Sequence, residues 1–318
     1  MAATANVEHL HGIEDIVDKY DAFLVDQFGV IHDGKKAYTG AIECMGKIFA
    51  KKKPVILLSN SSKKKDGSVK RMVKMGFSKD TFADLITSGD LVCEGLKPEQ
   101  REGIFGDFQG RRMLVFGNGD EDDEYLSEIG TPSNSEDADF ILARGTFSLL
   151  TESEKISAPN SRDMLDRFRT VMCDAKKKGG LKMLVSNPDL VRPDGDDSPM
   201  PGQLGNFYES LGGQVTYVGK PHSYIYDHAF DVLRRQFGIT DKKRICAIGD
   251  VMYTDILGAN SNEIDSILIL DGVHASELGI QQTSGDRPDD KPLKELLESY
   301  ADCGTPTYVM DHFQWGAL

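Results

Sequence analysis

The sequence predicts an α/β protein whose parallel sheet is split by an inserted second α/β domain. Three observations carry this. Apolar runs of strand length alternate with helical patterns in the first 90 residues, which is the rhythm of a parallel sheet. Polar residues follow those runs at once, as Asp26 follows Ala22–Val25 and Ser59-Asn60 follow Val55–Leu58. Open α/β sheets bind ligands at those strand ends. After a middle stretch with a rhythm of its own, the first pattern resumes beyond residue 206.

The elements follow in order. A helical lead-in spans Ile13 to Lys19, and the strand Ala22–Val25 comes next. A helix from about Ala41 to Lys51 ends before Pro54, which cannot continue it. The strand Val55–Leu58 leads to a helix from about Gly67 to Met75, closed by Gly76 as a C′ glycine. In the middle, Met113–Phe116, Phe140–Ala143 and Met183–Val185 read as strands. Acidic linkers lie around Asp120–Glu124 and Ser133–Asp139, and the Pro, Asp and Gly of 188–202 read as loop. The core pattern returns with a helix Leu204–Leu211 and a strand Val215–Val218. A helix Tyr224–Phe237 follows, then the strands Ile245–Ile248, Ser266–Leu270 and Thr307–Met310. The domain boundaries expected are 1–89 and 206–318 for the core and 90–205 for the insert.

A chain of 318 residues has room for two domains. Its net charge of −14 disfavours nucleic-acid binding, which needs Lys and Arg to replace counterions on phosphates. No apolar run is long enough to span a bilayer. Met1–Asn6 carries no basic region ahead of an apolar stretch, so the expected location is the cytoplasm. The lysine runs 51–53, 63–65 and 176–178 read as solvated ends, with 63–65 near enough to Ser59 to draw in an anion. Five scattered cysteines, without metal spacing, read as small core residues in a reducing compartment.

Four segments at strand ends assemble a chemistry: Asp26, Ser59-Asn60, Lys220, and Asp250 with Asp255. Carboxylates from two neighbouring strands can hold one divalent cation, and Mg²⁺ is bound by one or two carboxylates together with phosphate oxygens. A lysine and amide or hydroxyl donors neutralise a transferring phosphoryl group. An aspartate can attack phosphorus and form an aspartyl-phosphate. Singly, each residue is ordinary, since Asp before Gly is a common turn former. The order and context of all four together are not.

In these segments the chain resembles the haloacid dehalogenase (HAD) superfamily of phosphatases, and within it subclass IIA, the p-nitrophenylphosphate and phosphoglycolate phosphatase branch. The resemblance rests on Val25-Asp26-Gln27-Phe28-Gly29-Val30-Ile31-His32-Asp33-Gly34, Leu57-Leu58-Ser59-Asn60, Val218-Gly219-Lys220-Pro221, and Gly249-Asp250 through Thr254-Asp255-Ile256-Leu257-Gly258-Ala259. It spans nearly the whole chain and implies a Rossmann-like core with an inserted C2-type cap. It also implies the roles. Asp26 is the nucleophile and a Mg²⁺ ligand. Ser59 and Asn60 bind the phosphoryl group, and Lys220 balances charge on both. Asp250 ligates Mg²⁺, and Asp255 is a ligand or stands behind one. The implied ligand is a small phosphorylated metabolite, and subclass IIA members are often homodimers through the cap.

Phe28 departs from the pattern. The family's phosphatases carry there an Asp that protonates the leaving group, a contribution of typically 10²–10⁴-fold. The backbone carbonyl of Phe28 can still meet a metal. A retained metal site with weakened hydrolysis is therefore expected, and an uncharacterised subgroup resembles this chain in carrying an aromatic there. His32, Asp33 and His222 are the nearby groups that could take over acid–base work. Two rivals stand beside the phosphatase: a silent phosphometabolite-binding or scaffold protein on the same fold, and, ranked last, a carbon–halogen hydrolase, which would not need the acidic metal pair. In the insert, Ser186-Asn187-Pro188-Asp189 and the Gly145–Phe147 turn are the candidates for choosing substrate.

Overall fold

The computed structural model describes residues 7–119, 121–157, 162–177, 179–192 and 198–316. Asp120 of the expected acidic linker, Lys178, residues 193–197 of the expected loop, and Met1–Asn6 lie outside them. The chain forms two compact units: residues 1–59, 65–86 and 220–318, and residues 60–64 with 87–219.

The first unit holds a seven-stranded sheet in the order Glu8–Leu10, Tyr308–Met310, Asp265–Ile269, Ile245–Gly249, Ala22–Asp26, Val55–Ser59, Asp84–Thr87. Pairing is parallel from Glu8–Leu10 through Val55–Ser59. Its central strands are nearly continuous apolar runs because both faces are covered. Phe23, Val25, Cys246, Ile248, Ile267 and Ile269 share one core cluster with Ala41, Cys44, Met45 and Ile48 of the helix Ala41–Ala50. That i, i+3, i+4, i+7 spacing sets one apolar stripe against the sheet. Leu268 and Val309 belong to a second cluster with Leu296 of the helix Asp290–Ser299. The lead-in at Ile13–Lys19 is two short 3₁₀ turns rather than a helix.

The second unit has its own sheet. Val215–Tyr217, Met183–Val185, Phe140–Ala143 and Arg112–Gly117 run parallel, and Ser148–Leu150 and Lys155–Ser157 add antiparallel strands. Two expectations change here. The helix Pro201–Ser210 and the strand Val215–Tyr217, expected in the core, belong to this unit. Their reason is pairing: Val215 to Tyr217 lie in register with Met183 to Val185, and Leu204 and Tyr208 join the core cluster of Phe116, Ile141 and Phe168. The acidic run expected as linker instead opens the helix Asp122–Ile129, with Asp122, Asp123 and Glu124 in its first turn, where negative charge complements the helix dipole.

Candidate active site

The register builds the site. Val25 pairs with Ile248, so Asp26 and Asp250 emerge side by side at the C-terminal edge of adjacent strands. Asp26 pairs with Leu58, and Ser59 ends the next strand over. The chain winds outward from Ala22–Asp26 in one direction and returns beside it through Ile245–Gly249. That is a topological switch point, where ligands of open α/β sheets bind.

Asp26, Asp250 and Asp255 each bring a carboxylate oxygen within 4.8 Å of the others. Lys220 stands between two of them, donating from Nζ to Asp26 Oδ1 at 2.6 Å and to Asp255 Oδ1 at 2.7 Å. Burial alone would lower the Lys220 pKa, but Asp255 and Asp26 outweigh it and raise it, so the lysine is a fixed cation. Asp255 also accepts the Val251 N–H on Oδ2 at 3.1 Å. With both oxygens engaged, Asp255 braces the loop and the lysine.

Asp250 is the least compensated group. It is fully buried, its Oδ2 accepts the Val273 N–H at 2.8 Å, and its Oδ1 has no hydrogen-bond partner among the described residues. Burial, then Asp26, then Asp255, push its carboxyl well above the usual carboxylate range. Glycines make room for it. A Cβ at Gly29, where φ is +90°, would come 2.1 Å from Asp250 Oδ2, and one at Gly272 would come 2.3 Å from its Cβ. Three clustered carboxylates, only two of them paired with the lysine, and an oxygen with no partner among the described residues fit a divalent cation. Gly272 and Val273 were not picked out from the sequence, although Asp271-Gly272 after a strand repeats the pattern of Gly249-Asp250 in reverse.

Several expected residues have other employment. Asn60, in the second unit, donates Nδ2 to Asp189 Oδ1 at 2.8 Å. Lys63, Lys64 and Lys65 are ion-paired with Glu121, Glu128 and Asp84, which leaves little for drawing in an anion. Asp33 accepts the backbone N–H groups of Lys35 and Lys36 and forms a turn. His222 is exposed at the start of the helix Ser223–Phe237.

Comparison with known proteins agrees with this geometry. Residues 23–131 match the haloacid dehalogenase-like hydrolase family and residues 217–313 match a HAD-hydrolase-like family. Human (Homo sapiens) chronophin is 25% identical over 279 residues, covering 86% of this chain and 89% of its own. The 4-nitrophenylphosphatase of Schizosaccharomyces pombe is 26% identical over 293 residues, covering 87% and 92%. A haloacid dehalogenase-like hydrolase from Brucella suis superposes with a TM-score of 0.70 at 25% identity, covering 95% of this chain and 99% of that one. The chain belongs to the haloacid dehalogenase-like hydrolases. Its motifs and relatives put it in the subclass IIA phosphatase branch.

Phe28 stands where the sequence resemblance leads one to expect an Asp. Its ring is half-buried and meets the His32 ring edge-on, with centroids 5.9 Å apart. A Cβ at Gly34 would lie 2.9 Å from the phenyl Cε2, so the ring rests on its own loop. His32, the neighbouring candidate for acid–base work, is held on its ring nitrogen and buried. Its Nδ1 accepts the Gly34 N–H at 3.1 Å, and burial lowers its pKa to about 4. Both effects favour the neutral imidazole with its proton on Nε2.

Proposed function

We propose that this hydrolase is a Mg²⁺-dependent phosphatase of small phosphorylated metabolites, working in the cytoplasm, with weakened leaving-group chemistry. The observation that carries the proposal is the cluster of Asp26, Asp250 and Asp255 on one buried lysine. Asp26, Asp250 and the Phe28 carbonyl would hold Mg²⁺, and the chemistry the ion supplies when bound is neutralisation of phosphoryl-oxygen charge. Lys220 keeps Asp26 ionised and aimed. The Asp26 carboxylate attacks phosphorus as the P–O bond to the leaving alcohol breaks, and the electron pair leaves on that oxygen. Water then cleaves the aspartyl-phosphate at phosphorus and releases inorganic phosphate. Ser59 would bind the phosphoryl oxygens. At position 28 a phenyl ring can neither give the leaving oxygen a proton nor take one from water.

That same ring favours a second reading, a silent phosphometabolite-binding protein that retains Mg²⁺. The discriminating measurement is turnover of p-nitrophenyl phosphate and of an alkyl phosphate, with and without Mg²⁺. The phosphatase reading expects Mg²⁺-dependent cleavage of the activated ester and very slow cleavage of the alkyl ester. Asp26→Asn should remove both, by on the order of 10⁴-fold or more. No turnover of either ester and no aspartyl-phosphate, despite Mg²⁺ binding, would leave only the silent reading.

A further inference from the structure

His312 lies just beyond the strand Tyr308–Met310 and is 5% exposed. Its Nε2 is 2.7 Å from the Thr39 carbonyl oxygen, and its Nδ1 is 2.7 Å from Asp271 Oδ2. A carbonyl oxygen only accepts, so Nε2 carries a hydrogen. An ionised carboxylate also only accepts, so Nδ1 carries one too. With both nitrogens facing acceptors, the geometry is that of an imidazolium paired with a carboxylate. Burial alone would lower the pKa of this histidine, but the hydrogen bond and charge of Asp271 outweigh burial and raise it.

Both partners lead to the carboxylate cluster. Asp271 runs directly into Gly272, which closes on Asp250, and Val273, whose N–H holds Asp250 Oδ2 at 2.8 Å. Asp271 is itself fixed, accepting the Gly285 N–H at 3.0 Å and donating its own N–H to the Asp311 carbonyl at 3.2 Å. On the other side, Thr39 ends the loop that begins at Asp26 and folds back through the Tyr38 N–H to the Ile31 carbonyl at 3.0 Å. The titratable groups facing the ring are the Asp271 carboxylate and the Tyr38 phenol, whose ring centroid is 6.1 Å away. The neighbouring Asp311 is engaged with His9 at 2.8 Å, and the segment after 280 presents the Gly285 backbone.

We propose that His312 is a positioning residue for the metal site: its imidazolium bridges Thr39 and Asp271 and sets the spacing between the loop after Asp26 and the turn that holds Asp250. It touches neither substrate nor the carboxylate ligands. The inference rests on the Mg²⁺ site proposed above. Residues behind metal ligands typically change affinity by 10–100-fold when replaced.

The test has two arms. With ¹⁵N-labelled histidine, NMR of the wild type should show both ring nitrogens of His312 protonated at pH 7. Titration calorimetry with Mg²⁺ should show His312→Gln binding about 10-fold more weakly than wild type. Asp271→Asn should shift in the same direction while lowering the ring's titration midpoint. The affinity gap between wild type and His312→Gln should narrow as rising pH deprotonates the ring, which a merely structural defect would not reproduce. A singly protonated ring at pH 6, or equal Mg²⁺ affinity in His312→Gln and wild type, overturns the inference and leaves the metal site intact. A wild type that binds no Mg²⁺ overturns the metal site and this inference with it.

Discussion

Two buried ionic clusters, one in each unit, each set aspartate against a basic side chain and are balanced differently. In the second unit Arg144 and Asp122 are 1% and 0% exposed and pair directly. Asp122 also accepts from the Asn118 and Gly119 N–H groups and the Ser148 hydroxyl. Arg144 donates to the Ser62 carbonyl at 3.2 Å and stacks 4.0 Å from the centre of the Tyr125 ring, and among the described residues only its Nε lacks a partner. Charge matches charge, and the carboxylate is saturated. In the first unit one lysine pairs with two of three clustered carboxylates, and among the described residues Asp250 Oδ1 has no partner. A cluster that serves the fold closes its own circuit. A cluster that serves a ligand keeps charge for a partner supplied from outside, at the expense of stability when that partner is missing.

The comparison breaks most readily at Arg144. Arg144→Met strands Asp122 in the interior, and removing one partner of a buried pair destabilises by about 3–5 kcal/mol. Urea unfolding should show that loss unchanged by Mg²⁺, because nothing in this cluster is made for a cation. Recovery by Mg²⁺ would erase the distinction between the two clusters. A smaller effect is expected at the edge of the other one. Phe28→Asp restores a titratable group where the family's phosphatases have one, and alkyl phosphate turnover should rise by about 10-fold or more. Steady-state rates for alkyl and p-nitrophenyl esters check it, with the gain confined to the alkyl ester. Equal gains on both esters would mean that leaving-group protonation is not what wild type lacks.

Much of the first cluster was legible because parallel strands buried on both faces are uninterrupted apolar runs, and each runs into its candidate site residue. Asp26, Ser59 and Asp250 could be numbered before any fold existed. What stayed hidden depends on pairing. Nothing in Val215–Tyr217 says which sheet it joins; its register with Met183–Val185 decides that. Glu8–Leu10, an edge strand, and the short antiparallel Lys155–Ser157 lack the apolar run that marks a central strand. Asp122 looked like linker because its neighbours are acidic, yet it is the most saturated carboxylate of its unit's cluster. His312 gave no signal at all, since its partner Thr39 lies 273 residues away along the chain.

The smallest effect separates the clusters most sharply, because one substitution should act with opposite sign in the two. Asp122→Asn weakens acceptors that four donors use and leaves Arg144 without its counter-charge, so it destabilises. Asp250→Asn removes the surplus negative charge, and the new amide oxygen can still accept the Val273 N–H. The metal-free protein should therefore gain on the order of 1 kcal/mol, as happens when a functional site's strain is relieved. The sign with pH follows from linkage. The ordinary value for the Asp250 carboxyl is 3.8, and burial with two neighbouring carboxylates raises it in the folded state. Between those two values the folded protein holds a proton that the unfolded chain has released, so wild-type stability falls as pH rises through that window. Asp250→Asn lacks the group, and its advantage over wild type should grow across the same window. Thermal unfolding of both proteins in chelator across that pH range is the measurement. Added Mg²⁺ should reverse the ranking, since it stabilises only the form that binds it. If Asp250→Asn instead costs as much as Asp122→Asn, at every pH and without metal, then the first cluster is as self-contained as the second.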